Sequence, residues 1–219
     1  MSQRDYILRI AEEFGRALAQ VLYNRQIQDY AAAHKLVDEQ CKQAFSMGIG
    51  FMRSIPEETL LSMLTSFDTL DTEKCWLLAL LLKAEGDIYQ DQSNASESYY
   101  SYVRSLNLIL EVLLHDTTNR GIPTVPELED LLSRLSEYEL PTNTRLLLFR
   151  YFERTGRYAR AEDVLFELFE AGDPEGDILA RGTAFYQHLM RKSDAELSAG
   201  NFSREEAEDG LARLEKRER

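Results

Sequence analysis

The chain is poor in the residues on which reaction chemistry usually depends. Three histidines, His34, His115 and His188, and two cysteines, Cys41 and Cys75, are spread over 219 residues. The histidines lie in different predicted helices, and none forms a His-Glu-x-x-His or His-x-x-x-His pair that would set two ligands on one helical face. No metal site is expected. His115-Asp116, at the end of a long apolar segment, reads as a charge near a helix C-terminus. No serine occupies a Gly-x-Ser-x-Gly turn, neither cysteine has an identifiable activating environment, and no Gly-x-Gly-x-x-Gly or Walker-type loop is present. Gly172-Asp173-Pro174-Glu175-Gly176 is acidic and reads as a turn. Carboxylate pairs such as Asp87 and Asp91, one turn apart, read as a solvated helix face. These absences argue against an enzyme and against a bound cofactor.

Long apolar runs and positive charge are lacking too. The longest uninterrupted apolar stretch, Cys75 to Leu82, is eight residues, against the roughly twenty that a membrane span needs. The formal net charge is −13, unevenly placed. Residues 1–53 carry 7 basic and 6 acidic side chains, residues 54–143 carry 5 and 16, and residues 144–219 carry 13 and 16. Such a field repels nucleic acid and anionic lipid, so neither is an expected partner. The two cysteines, far apart in apolar patterns, are expected to be buried and reduced. With an opening Met-Ser-Gln-Arg-Asp that leads into an amphipathic helix, they point to a cytoplasmic protein.

What is present is helix. Five prolines, eleven glycines and a wealth of Ala, Leu, Glu, Gln and Arg favour an all-α fold. Breakers divide the chain into about ten predicted helices, near 4–23, 27–46, 57–67, 72–91, 95–116, 126–138, 143–155, 158–171, 175–193 and 203–217. Asp71 or Thr72, Asn94 with Glu97, Pro126 and the Ser203/Glu206 pair supply start signals. The helix holding Cys75 to Leu82 is apolar all round and should be the most buried element. The connection Gly121-Ile122-Pro123-Thr124-Val125-Pro126 reads either as a loop within one domain, 1–219, or as a hinge between halves 1–120 and 126–219.

Thr155-Gly156-Arg157-Tyr158-Ala159-Arg160-Ala161 carries the clearest motif. A glycine, an aromatic two residues later and a small residue three after that form the turn of an αα-hairpin. Here the chain resembles the tetratricopeptide repeat, a 34-residue helix-turn-helix unit. Across residues 142–175, Leu148, Phe152, Gly156, Tyr158, Ala161 and Leu165 fall on its pattern, whereas Phe149 and Leu168 stand where the family prefers small residues. Leu179, Thr183 and Tyr186 fit the first helix of a following unit, lengthened before Gly200-Asn201-Phe202 supplies its turn. Leu82, Glu85, Gly86 and Tyr89, followed by Ser98, Tyr102 and Ser105, fit an upstream unit, and Gly15, Leu18, Tyr30 and Ala33 a fourth. The resemblance implies an irregular antiparallel helix-turn-helix array; a plain α-bundle meets the same packing needs. The first half of the chain, with Gly86-Asp87-Ile88-Tyr89, is also similar to a group of short bacterial cytoplasmic proteins of unassigned function.

The resemblance places a groove along Asn143, Leu146, Arg150 and Arg154 of one helix and Asp177, Ala180, Ala184, Gln187 and His188 of the next. Arg150, Arg154 and Arg157, with Arg145 and Arg160 nearby, form a basic stripe in an acidic chain. Arginine's planar fork suits carboxylates, so an acidic peptide or chain terminus is the expected occupant, with pairing to local acids such as Glu153 and Glu162 as the alternative. The candidate partner-binding residues are Asn143, Leu146, Arg150, Arg154, Arg157, Ala184, Gln187 and His188. The helix carrying Tyr99, Tyr100 and Tyr102 and the apolar residues Val103 to Leu114 is apolar over more than one face, compatible with burial in the monomer or with a second subunit. The expectation is a non-catalytic protein-interaction module. The alternatives are a structural homo-oligomer, with a homodimer its simplest form, and a small-molecule sensor.

Overall fold

Helix-forming segments alternate with short, well-capped turns, and the chain folds accordingly as an all-α protein. The computed structural model describes residues 3–115, 124–172 and 177–217. Among these are twelve helices and one small hairpin. The chain divides between Tyr138 and Glu139 into two compact units. The first contains α1 (Gln3–Gln26), α2 (Tyr30–Phe45), α3 (Ile49–Ser54), α4 (Glu57–Met63), β1 (Thr65–Ser66), β2 (Thr69–Leu70), α5 (Thr72–Asp91), α6 (Ala95–His115) and α7 (Thr124–Arg134). The second contains α8 (Thr142–Arg154), α9 (Tyr158–Glu170), α10 (Ile178–Leu189), α11 (Asp194–Ala199) and α12 (Arg204–Arg217). Because α7 packs on α6, the segment after residue 123 stays with the first unit. Gly121–Pro123 of the expected loop or hinge, like Asp173–Gly176 and Asp116, lie outside the described residues.

The predicted start signals form. Asp71 accepts from the Lys74 amide at 3.0 Å, Asn94 from Glu97 at 3.4 Å, and Ser203 and Glu206 exchange bonds at 2.7 and 3.1 Å as a capping box. Pro126 sits in the first turn of α7, where its missing N–H has no intrahelical role. Three expectations need correction. The predicted helix 57–67 stops at Met63 and gives way to the β1–β2 hairpin, and α3 fills a stretch read as loop. The predicted helix 175–193 is broken after Leu189, because Ser193 and Glu196 form a second capping box that starts α11. The turn at Gly200–Phe202 therefore closes an α11–α12 hairpin instead of ending a lengthened α10.

Four hairpins share one turn. At α1–α2, α5–α6, α8–α9 and α11–α12 the residue in the left-handed conformation is Gln28, Ser93, Gly156 and Asn201 respectively. At each, its amide donates three residues back, and the next amide donates five back, as in Arg157 to the Phe152 carbonyl at 2.9 Å and Asn94 to Tyr89 at 2.9 Å. A small buried residue follows five positions after the first three turns: Ala33, Ser98 and Ala161. In the second unit the turns also meet, since Ala159 donates to the Gly200 carbonyl at 3.2 Å and Gly200 lies against Tyr158.

The core of the first unit is the α5–α6 pair. Cys75, Leu78, Ala79, Leu81, Leu82 and Ile88 of α5 are fully buried, as expected for the all-round apolar helix. Each such leucine contributes about 1.5–3 kcal/mol through removal from water. Leu106, Leu108, Ile109 and Leu110 of α6 are as deep, so this helix is satisfied within the unit, while Tyr100 stays exposed. Gly86 permits the close approach: a Cβ there would stand 2.6 Å from the Tyr102 ring. Both cysteines are free and buried, and burial pushes each thiol up to about 12.

Candidate functional site

The second unit is built on aromatics. Phe149 of α8 meets Phe185 of α10 edge-on at 5.4 Å between ring centroids, and Phe185 in turn touches Tyr186 and Phe202. Gly182 lets α10 approach Leu165, Phe169 and Leu214. With Phe149 and Phe185 turned inward, the opposite strips of the two helices face solvent. Asn143, Arg150 and Arg154 are exposed on α8 and Leu146 is half-buried among them; Ala180, Ala184, Gln187 and His188 are exposed on α10. Glu153 and His188 are close enough to interact: burial raises the Glu153 carboxyl, and His188 opposes this. Six of the eight nominated residues are thus solvent-facing on neighbouring helices.

The remaining arginines of the stripe have structural contacts. Arg145 is buried, 3.1 Å from Glu139 and 3.4 Å from Glu167, so it takes no part in the strip. Arg157, one of the eight, lies 5.7 Å over the Tyr151 ring, and Arg160 lies 4.3 Å over Phe152. Glu162 accepts from the Tyr186 hydroxyl at 2.7 Å.

The first unit holds its charges inside. Asp87, only 8% exposed, receives Arg25 of α1 at 3.0 Å and Arg134 of α7 at 3.1 Å, and accepts from the Tyr102 hydroxyl at 2.7 Å. Asp91 binds the same Arg25 at 2.7 Å. Asp87, read with Asp91 as a solvated face, is therefore a junction of four helices, while Asp91 stays exposed. Arg134 also reaches Asp130 at 2.9 Å, and Lys83 holds Asp130 and Glu127 at 2.9 and 3.2 Å. Burial works against the Arg134 charge, but the Asp130 hydrogen bond and the Asp87 charge raise its pKa. Burial beside Asp87 raises that of Tyr102.

A second polar set joins α2 to α5. His34 offers Nδ1 to Glu85 at 3.2 Å and Nε2 to Gln92 at 3.1 Å, and the Glu85 hydrogen bond raises its pKa. Its ring packs on Tyr89 at 4.8 Å, and Arg53 covers that ring at 5.0 Å. Among the described residues no group of three or more His, Cys, Asp or Glu converges as a metal site, and no helix is long and apolar enough to cross a membrane.

The profile of the Family of unknown function (DUF6483) matches residues 1–219, the whole chain. The chain belongs to this family. No curated protein and no solved structure matches it. Membership in DUF6483 assigns no activity, so function has to be argued from the site.

Two features of this DUF6483 chain escape sequence reading. At the C-terminal end of α5, a cleft of about 290 Å³ is lined by Tyr99, Tyr102 and Tyr138, with Ser98, Gln90 and Arg134. At the other end of α5 the β1–β2 hairpin carries Phe67, 100% exposed at its tip. Tyr99 and Tyr102 stand together on α6, but Tyr138 and Arg134 come from a distant segment, and two-residue strands are too short for alternation to register.

Proposed function

We propose that this chain is a non-catalytic protein-interaction module of tetratricopeptide-like design, working in the bacterial cytoplasm and docking an acidic partner segment across α8 and α10. One observation carries the reading. Arg150 and Arg154 lie in solvent beside Asn143, next to Gln187 and His188 of a helix fixed by the Phe149–Phe185 contact, in a chain of net charge −13. A fixed, locally basic strip on an acidic protein favours carboxylate-rich segments. The repeated hairpin turn and the buried small residues at Ala33, Ser98 and Ala161 support the repeat-like design. The two buried free thiols agree with a reducing compartment.

A displayed library of random peptides, selected against the purified protein, tests the reading. The expected enrichment is an Asp- or Glu-rich consensus whose binding weakens with salt and is lost on Arg150→Glu with Arg154→Glu. An enriched consensus without acidic residues, or one unaffected by the double reversal, contradicts it.

A further inference from the structure

Phe67 is held in a costly position. The pairs Thr65 with Leu70 and Ser66 with Thr69 leave Phe67 and Asp68 as a two-residue loop, with φ of +49° and +57°. Loops with two left-handed central residues favour Asn-Gly or Asp-Gly, because a side chain resists positive φ and a bulky one resists it most. Here the first position holds a phenylalanine whose fully exposed ring adds no packing to compensate. Strain and exposure at one residue of an otherwise ordinary hairpin mark it as a contact point for something outside the chain.

The same unit contains a matching socket. The cleft of about 290 Å³ has room for a phenyl ring, and its tyrosines offer faces and edges for one. Tyr138 is 44% exposed at its mouth, and Tyr99 leans on Tyr138 with ring centroids 5.2 Å apart. Arg134 completes the wall. Its Nε and Nη1 bind Asp130, Asp87, Gln90 and the Tyr102 hydroxyl. Nη2 has no partner among the described residues, and a carboxylate arriving beside an aromatic ring would meet it. Phe67 is followed by such a carboxylate, Asp68.

Phe67 cannot fill the socket of its own molecule. The hairpin is tied to the start of α5 by the Asp71 amide, which donates to the Leu64 carbonyl at 2.8 Å, and the cleft begins at Gln90 near the end of that helix. Twenty helical residues separate the two by roughly 28 Å.

We propose that the chain associates head to tail: Phe67 of one copy enters the Tyr99–Tyr138 cleft of the next, and Asp68 pairs with Arg134 there. The contact uses two different surfaces, so each added copy presents a fresh knob and a fresh socket. The product is a ring or an open chain, not an isologous pair. This proposal is independent of the strip on α8 and α10.

Sedimentation velocity over a wide range of concentration tests it with three proteins. Wild type is expected to gain mass with concentration. Phe67→Asn, which suits the left-handed turn and should leave the thermal transition unchanged or raised, is expected to weaken association at least about tenfold. Tyr138→Ser, altering only the mouth of the socket, is expected to do the same. Mixed, the two variants should form a one-to-one complex that grows no further, because one supplies an intact socket and the other an intact knob. A wild type that stays monomeric, a Phe67→Asn protein that associates as tightly as wild type, or a mixture that forms no heterodimer overturns the proposal.

Discussion

The two units solve one packing problem by different means. Both need helices to approach closely at a hairpin. In the first, Gly86 admits Tyr102, and the hydroxyl of that tyrosine joins a junction in which Asp87 is clamped by Arg25 and Arg134. In the second, Gly182, Gly200 and Gly210 admit Leu214, Tyr158 and Tyr186, and the contact beneath is a chain of aromatic rings. One interior is cross-linked by charge and the other by shape. A charged junction fails when a partner is removed, whereas an interlocked one fails when an atom is added. Outside this shape-packed interior, Arg150 and Arg154 of α8 face water.

The sharpest way to break this contrast is to add a methyl group. A Cβ at Gly200 would fall inside contact distance of the Gly156 carbonyl oxygen and the Tyr158 ring, and the backbone atom cannot swing aside. Gly200→Ala should cost the second unit about 3 kcal/mol, read as faster amide hydrogen exchange in α8 to α12 with α5 and α6 little changed. Next in size is Asp87→Ala, which leaves Arg25 and Arg134 with less of their partnership and the Tyr102 hydroxyl with Gln90 alone as acceptor. It should cost about 2 kcal/mol, with exchange accelerated in α5 and α6 instead. If both variants loosened the same helices, the division of labour between the units would be wrong.

Acid should separate the units as well. Burial raises the carboxyls of Glu153 and Glu162, which carry a penalty when charged, so the second unit should gain stability as pH falls through their raised folded values toward the ordinary glutamate value near 4.3. Glu196 is the exception: hydrogen bonds from Ser193 hold it down at about 2, so the α11 cap should weaken only in stronger acid. In the first unit, burial opposes the Asp130 charge but Arg134 and Lys83 hold its pKa below the ordinary value. That stabilisation is present above about pH 4 and lost as pH falls through the lowered value. His34 acts at the other end. Its folded pKa is raised, so its contribution is full below about pH 6.5 and lost as pH rises through the folded value, an effect of about 1 kcal/mol for a partly exposed histidine beside a buried carboxylate. His34→Gln should flatten the stability profile of α2 and α5 on that alkaline side, measured by pH-dependent hydrogen exchange.

The hairpin turn at Gly156 was legible because glycine announces a left-handed residue. The same turn at Gln28 and Ser93 carries no such signature, and the turn read at Gly200-Asn201-Phe202 was assigned to the wrong helix pair. The buried α5 was legible from eight apolar residues in a row. The Asp87 junction was not, because two carboxylates one turn apart look like any solvated face. Asp87 is covered by Arg25, 62 residues before it, and by Arg134 of α7, well after it. The residues of the strip on α8 were picked out by the repeat resemblance together with the i, i+4 spacing of Arg150 and Arg154. Its neighbour Arg145 fell off the strip because Glu139 and Glu167 draw it inward.

The smallest effect on stability belongs to the residues given the largest role in function. Arg150→Glu with Arg154→Glu changes two exposed positions and should move the thermal transition by no more than about 0.5 kcal/mol in equivalent stability. The most direct test of the docking surface uses that variant. Tagged wild-type and doubly reversed proteins would be recovered side by side from native cells after the same salt wash, with Arg213→Glu on α12 as a control for charge reversal outside the strip. The account predicts a partner retained by wild type and by the control and absent from the double variant. Equal recovery of that partner by all three would contradict it.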